Sequence, residues 1–417
     1  MIDYALRDYQ VPPVESAIRY LESGGNRGVL HLPCGAGKSW IYAEIAKRMN
    51  LRTVILQPNK ELAEQNLDKM NQVGLGSECG IMCAGLNRKQ KNKFFTFATH
   101  KTLISHLSDF KDVGLVIVDE CDYVPPDSGT QIRKVLKHFD KAKVLGGTAT
   151  PFRLNYFSGM DGIRYTDLRL IHRQFRGYWK DVIYSLSPQY LIDKGFLTPT
   201  SYKDWSQGYD ESKLKVNTTH SDFTERSINE YLTREEQIER HFKAIMYSLE
   251  HRNFVLSFTP SIKASHEIKN ELEKAGISCG VVSSKTNPYE RRNLLKRFKD
   301  GDVRVVLNTN ILTAGFDFPE LDCVIFGRPT LSLRTLVQSK GRGDRIAKGK
   351  DSFWFVDLCN NLKRFGTVES LHLRFKNQIT EKTMPSGKVI LQKKNLDELW
   401  NARERVDNKV LSSYAMM

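Results

Sequence analysis

The stretch Gly28-Val29-Leu30-His31-Leu32-Pro33-Cys34-Gly35-Ala36-Gly37-Lys38-Ser39 decides how this chain folds. Val29 to Leu32 is an apolar run that reads as a short buried strand. Gly35 and Gly37 then permit a tight backbone turn, and an amphipathic helix opens near Lys38. Backbone N–H groups around such a turn close on an anion, and the helix N-terminus adds partial positive charge. The spacing predicts a phosphate-binding loop: Lys38 reaches the β- and γ-phosphates, and the Ser39 hydroxyl holds Mg²⁺. Leu32 stands where the strict G-x-x-x-x-G-K-[ST] pattern has its first glycine, so a plain glycine-rich strand-to-helix turn is the competing reading.

Working outward, apolar strands alternate with helical patterns. Strands are expected at 52–56, 94–98, 113–118 and 143–145, and helices at 16–22, 39–49 and 59–70. Near-continuous apolar strands of this kind belong to a parallel sheet covered on both faces, with ligands at the carboxyl ends of the strands. The rhythm breaks between about 156 and 231, then resumes with strands at 254–258, 277–282, 303–307, 323–326 and 353–356 and helices at 261–274 and 288–298. The fold class is therefore α/β, with two parallel-sheet lobes in tandem. The expected divisions are 1–155 for the first lobe, 156–235 for an irregular interdomain connection, 236–370 for the second lobe and 371–417 for a basic C-terminal extension.

The strand Val116-Ile117-Val118 ends in Asp119-Glu120-Cys121-Asp122. Buried carboxylates are costly unless paired or metal-bound. Beside a phosphate loop, Asp119 suits an Mg²⁺ partner and Glu120 suits orienting and deprotonating the attacking water. A solvated acidic turn is the bland alternative, and the upstream loop weighs against it.

Composition sets limits. With 63 Lys+Arg against 48 Asp+Glu, the 417-residue chain carries a net charge of +15. Such an excess favours polyanionic partners. No apolar run approaches the ~20 residues of a membrane span. The start Met1-Ile2-Asp3-Tyr4 lacks the pattern of a secretion signal. Seven scattered cysteines, with no C-x-x-C pair, argue against a zinc site or disulfide framework and for a reducing cytoplasm. Cys79 and Cys83 lack ligand-spaced companions, and the histidines show no metal spacing.

In order along the chain, these motifs resemble superfamily 2 helicases and translocases, over positions 6 to 345. Leu6-Arg7-Asp8-Tyr9-Gln10 resembles the family's adenine-reading element, and Pro33, Cys34, Gly35, Ala36, Gly37, Lys38 and Ser39 its phosphate loop. Gln57-Pro58-Asn59-Lys60-Glu61-Leu62 and Ala98-Thr99-His100-Lys101-Thr102-Leu103 are similar to its strand-contacting motifs. Gly147-Thr148-Ala149-Thr150-Pro151 is similar to the segment coupling hydrolysis to movement. In the second lobe, Leu307 to Asp317 resembles the motif for nucleic-acid and ribose contact, and Gln338-Ser339-Lys340-Gly341-Arg342-Gly343-Asp344-Arg345 fits Q-x-x-G-R-x-x-R.

The resemblance implies two RecA-like lobes with ATP and Mg²⁺ in the cleft between them. It implies that Lys38, Asp119, Glu120, Gln338, Arg342 and Arg345 carry hydrolysis, that Arg7, Gln10, Gly315 and Asp317 help hold the nucleotide, and that Thr148 and Thr150 couple the steps. Pro58, Asn59, Thr99, Lys101, Thr259, Thr309 and Asn310 would touch nucleic acid, mostly at phosphates. Within the superfamily the likeness is to RadD-like and phage UvsW-like enzymes, which implies action on single-stranded, forked or branched DNA in replication, recombination or repair, in the cytoplasm near the nucleoid of a bacterium or phage-infected cell; nothing demands an oligomer, so a monomer is expected. Asp122 stands where those relatives often have His, so an RNA helicase is an alternative. A restriction-system motor and an ATP-gated clamp without turnover are others.

Three further stretches stay open. Arg169 to Lys180 interleaves basic and aromatic residues, suiting either a strand-separating wedge or an interface with packed rings. Arg88 to Lys93 and Lys388 to Lys394 are basic runs that suit either solvated turns or phosphate contacts.

Overall fold

The computed structural model describes residues 6–371, apart from 73, 159–163, 175, 219–221, 310 and 313–315. Asn310, Gly315, Phe175 and the extension from 372 onward lie outside the described residues. The described chain divides into two units, one built on residues up to Arg153 together with Leu168–Ser187, the other on Leu154–Asp167 and the described residues from Pro188.

Eight strands form the sheet of the first unit: β1 (Gly28–His31), β2 (Thr53–Gln57), β3 (Cys79–Cys83), β4 (Arg88–Lys89), β5 (Phe95–Thr99), β6 (Leu115–Asp119), β7 (Lys143–Thr148) and, after an intervening ribbon of β8 (Phe152–Ser158) and β9 (Arg164–Leu170), β10 (Asp181–Ser185). Their order is β10-β1-β7-β6-β2-β5-β3-β4. Only the terminal β3–β4 pair is antiparallel. Every residue of β1, β2 and β6 is buried, as strands covered on both faces must be. Val54, Val116, Val118, Phe110, Val135 and Trp179 share one core cluster on this sheet.

The second unit carries β11 (Thr200–Asp204), β12 (Val255–Phe258), β13 (Cys279–Val282), β14 (Val305–Asn308), β15 (Cys323–Phe326) and β16 (Phe353–Asp357). The order is β11-β16-β15-β12-β14-β13, parallel throughout. Helices Glu235–Leu249 and Ile262–Lys274 bury Ile245, Ala264 and Ile268 in its core.

The expected connection at 156–235 carries more structure than its sequence suggests, because it supplies an edge strand to each sheet. β10 pairs with β1, and β11 with β16. Both are polar, and neither has the continuous buried run of the central strands. An edge strand needs no such run, and polar residues there discourage wrong pairing. The expected strand boundaries elsewhere shift by up to three residues, and β3, hidden in a cysteine-containing run, goes unread in the sequence. Cys79 and Cys83 are buried free thiols.

The basic-aromatic stretch resolves for the rings that are described. Tyr178 and Trp179 are buried in the first unit's core, while Arg173, Arg176 and Lys180 are exposed. Arg27 and Arg133 each lie 4.8 Å from the Tyr178 ring. These two aromatics are thus core residues, not a wedge. In the run at 88–93, Lys91 pairs with Asp109 at 2.8 Å and Lys93 donates to the Ser77 carbonyl at 2.8 Å. No helix among the described residues is long and apolar enough to cross a membrane.

Candidate nucleotide site

In the first unit, β1 delivers the chain into the loop Leu32–Gly37, and helix Lys38–Met49 carries it away. Gly35 and Gly37 take φ of +79° and +75°, a region that disfavours side chains. Any Cβ on Gly37 would also strike the Gln10 amide. Gln10 is buried, accepts from the Arg7 N–H at 3.0 Å and donates to the Ala36 carbonyl at 3.1 Å. The residues expected to read adenine therefore brace the loop expected to hold phosphate.

Three pairs converge at the carboxyl edge of the sheet. Lys38 Nζ stands 3.0 Å from Glu120 Oε1, with both side chains largely buried. Ser39 donates to Asn66 Oδ1 at 2.5 Å, and Tyr42 donates to Asp119 Oδ1 at 3.1 Å. Burial alone would lower the Lys38 pKa, but Glu120, Cys34 and Asp119 outweigh it and hold the ammonium firmly charged. Asp119 is pushed up to about 6 by burial and by Glu120, against Lys38 and the Tyr42 hydroxyl. A cation beside Asp119 would reverse that rise.

Glu120 itself takes a left-handed backbone, φ +49°, which is uncommon for a non-glycine residue. Two contacts brace the turn behind it. Trp179 Nε1 donates to the Cys121 carbonyl at 3.0 Å, and Arg153 Nε donates to the Asp122 carbonyl at 2.5 Å. The two threonines read as coupling residues meet the same turn. Thr148 donates to Asp122 Oδ1 at 2.9 Å and lies 3.4 Å from Glu120 Oε2, while Thr150 donates to Asp122 Oδ2 at 3.2 Å. A line of contacts thus runs from Lys38 through the acidic turn to Thr150, with the single Thr148 proton placed between Asp122 at 2.9 Å and Glu120 at 3.4 Å.

Asn66, Tyr42 and Trp179 are the partners that sequence reasoning missed. One signal was available: the double glycine Gly146-Gly147 inside a buried strand. A Cβ on Gly147 would overlap the Tyr42 hydroxyl, so the glycine makes room for the ring that reaches Asp119.

The expected nucleic-acid contacts are placed less uniformly. Asn59 Oδ1 accepts from the Leu62 N–H at 2.9 Å, next to helix Lys60–Gln72. Pro58 is half-buried and Lys101 exposed. Thr99 is buried and donates to Thr102 Oγ1 at 3.0 Å. Thr259 is buried too, its hydroxyl 2.6 Å from Ser265 Oγ and 3.1 Å from Thr309 Oγ1. The hydroxyls of Thr99 and Thr259 are therefore turned inward.

In the second unit, the expected catalytic arginines are gathered on one carbonyl. Arg342 Nη1 donates to the Phe316 oxygen at 3.0 Å and Arg345 Nη1 to the same oxygen at 3.3 Å. Arg345 also pairs with Asp317 at 2.6 Å. Gln338, half-buried, begins the turn, and its carbonyl accepts from Arg342 Nε at 3.3 Å. Beneath them Lys340, fully buried, pairs with Asp344 at 2.7 Å and Glu369 at 2.5 Å.

Two family descriptions match this chain: "Type III restriction enzyme, res subunit" over residues 3–153 and "Helicase conserved C-terminal domain" over residues 236–347. With the fold and the motif residues above, they make the chain similar, unit by unit, to superfamily 2, the helicase-type ATPases. Among curated proteins it is similar to the ATP-dependent helicase IRC3 of Saccharomyces cerevisiae, 23% identical over 98% of this chain. Its namesake in Schizosaccharomyces pombe is 28% identical over 88% of this chain. The chain spans only about three fifths of each, 60% and 59% of their lengths. The DNA 3'-5' translocase XPB2 of Sulfurisphaera tokodaii is 24% identical, over 83% of this chain and 79% of its own. Among solved structures, a fragment of an HsdR subunit of a type I restriction enzyme from Vibrio vulnificus superposes with a TM-score of 0.64 at 18% identity, covering 87% of this chain and 66% of that one. That likeness is one of fold.

Proposed function

We propose that this chain hydrolyses ATP to move along DNA, as a translocase or helicase that acts on forked or branched substrates in replication, recombination or repair. The observation that carries the reading is the line of contacts Lys38–Glu120–Thr148–Asp122–Thr150. It ties the group that would bind phosphate, and the group that would act on water, to the segment expected to transmit movement.

The chain's own residues suit ATP and Mg²⁺. The left-handed glycines open the loop to an anion, and Ser39 and Asp119 offer the oxygen donors magnesium takes. Magnesium, held by Ser39 and Asp119, would supply positive charge against that developing on the phosphates. Lys38, kept charged by Glu120, would turn its ammonium to the terminal phosphates. Glu120, released from Lys38 but still fixed by its braced turn, would orient water and accept its proton. Arg342 and Arg345 are proposed to supply positive charge to the transferring phosphate, and Gln338 to offer it a hydrogen bond. Arg7, Gln10 and Asp317, with Gly315, are proposed to hold the nucleoside. Pro58, Asn59, Lys101 and Thr309 with Asn310, and the backbone at Thr99 and Thr259, are proposed to contact phosphates. Kinship with RadD-like and UvsW-like enzymes, and action as a monomer near the nucleoid, belong to the same proposal.

The test is steady-state ATP hydrolysis without nucleic acid and with single-stranded DNA, forked DNA and matched RNA. Stimulation by forked DNA that Lys38→Ala abolishes is expected. Turnover indifferent to every nucleic acid would sink the reading. Asp122 in the acidic turn leaves the RNA alternative open, and stimulation by RNA alone would select it.

A further inference from the structure

The arginine-bearing turn is held from below by a second lysine that no motif includes. Lys350 Nζ donates to three main-chain carbonyls: Pro319 at 2.8 Å, Gly343 at 2.7 Å and Arg345 at 2.8 Å. An ammonium has three donors and no acceptor, so this set satisfies it completely. The three carbonyls come from two separate segments. Pro319 closes the Phe316-Asp317-Phe318-Pro319 run, whose first two residues hold the Arg342 and Arg345 guanidiniums. Gly343 and Arg345 belong to the arginine turn itself. The Phe353 ring lies 5.7 Å from Lys350 Nζ and 5.6 Å from Lys340 Nζ, so one buried ring serves both lysines.

We infer that Lys350 is a positioning residue for hydrolysis: it staples the arginine turn to the Phe316–Pro319 run and so fixes where Arg342 and Arg345 present their charge. This rests on the hydrolysis reading above. The side chain works only while charged, since a neutral amine loses one of the three donors and the charge that strengthens the rest. Burial draws its pKa down to about 8; Asp344, Asp322 and Glu320 oppose the fall and Arg345 adds to it. Asp344 is itself paired with Lys340, and Asp322 accepts from the Asn253 and Phe254 N–H groups. The staple therefore releases as pH rises through about 8, within the range where an enzyme is assayed.

The experiment uses the full chain as wild type, Lys38→Ala, Lys350→Met and Lys350→Arg. Saturating-ATP turnover with DNA is followed from pH 7 to 9.5, and tryptic cleavage after Arg342 and Arg345 is read by mass spectrometry. Methionine keeps the stem and removes the donors. It is expected to lower kcat about tenfold to a hundredfold, the scale of a misplaced catalytic group, with KM for ATP changed less than about twofold. It should also erase the alkaline fall in kcat and open the turn to trypsin. Arginine does not deprotonate, so Lys350→Arg should move the alkaline fall beyond the range tested. Wild-type kcat in Lys350→Met, or an alkaline fall unmoved in Lys350→Arg, overturns the inference. If Lys350→Met fails to fold, the arginine variant decides. If wild type turns over no faster than Lys38→Ala, the hydrolysis reading fails, and tryptic protection alone then tests the staple: equal cleavage in wild type and variant overturns it.

Discussion

The two units hold their functional side chains by different means. In the first, side chain holds side chain: Lys38 on Glu120, Ser39 on Asn66, Tyr42 on Asp119. In the second, main chain joins in the holding: Arg342 and Arg345 share the Phe316 carbonyl and Lys350 grips three more, beside the Arg345–Asp317 and Lys340–Asp344 pairs. Ionisable partners shift one another's protonation and let go when a ligand offers a better charge. Carbonyls cannot titrate, so they set position alone. The first arrangement suits groups that must change partner during a reaction, and the second suits groups that must arrive at a fixed place.

The comparison can be broken most sharply at Lys38. Lys38→Ala should reduce turnover by about a thousandfold or more, the scale of losing a preorganised charge at a transferring phosphoryl group. Residual turnover near wild type would mean that the first unit's pairs are structural only.

Acid should expose a second property. His31, bonded to Ser185 at 2.7 Å, has its pKa lowered to about 4 by burial. The unfolded histidine takes a proton near pH 6.5 while the folded one refuses it, so the stabilisation is whole above 6.5 and is lost as pH falls toward 4. The loss should reach about 3 kcal/mol, measured by urea unfolding at pH 7.5, 5.5 and 4.5. His31→Gln should flatten that slope, and an unchanged slope would reassign it to other groups.

Gly147→Ala comes next. Its methyl would displace the Tyr42 hydroxyl from Asp119 and cost about 1–3 kcal/mol of stability. Adding Tyr42→Phe should recover part of this in a thermal melt. No recovery would show that the clash is felt elsewhere.

The smallest effect is expected at Trp179→Phe, which leaves the buried Cys121 carbonyl without its indole donor. About 1 kcal/mol of stability should go, with kcat falling more than KM changes because the Glu120 turn loosens. A variant equal to wild type in both would remove Trp179 from the site.

What could be read in the sequence follows from the same physics. β1, β2 and β6 are buried on both faces, so their apolar runs stand out, and the glycines and acids at their ends are spaced by the backbone itself. β10 and β11 are polar edge strands, so 156–235 reads as irregular although it completes both sheets. Lys38, Ser39, Asp119 and Glu120 are legible because local spacing carries their meaning. Asn66, Trp179 and Lys350 are not, because each acts through a partner brought close by folding: Ser39, Cys121 and the Pro319 carbonyl. Thr99 and Thr259 show the converse, since a motif position does not tell which way a hydroxyl turns.

The place of β10 has a consequence for biosynthesis. The strand that carries the phosphate loop lies between β7 and β10, yet β10 leaves the ribosome only after the chain has made Leu154–Asp167, which belong to the other unit. Until Ser185 is made, one side of Gly28–His31 has open N–H and C=O groups beside an apolar run. Such an edge invites pairing with another nascent chain. A fragment ending near residue 155 would keep that edge for life, and a stable first unit has to be cut after Ser187.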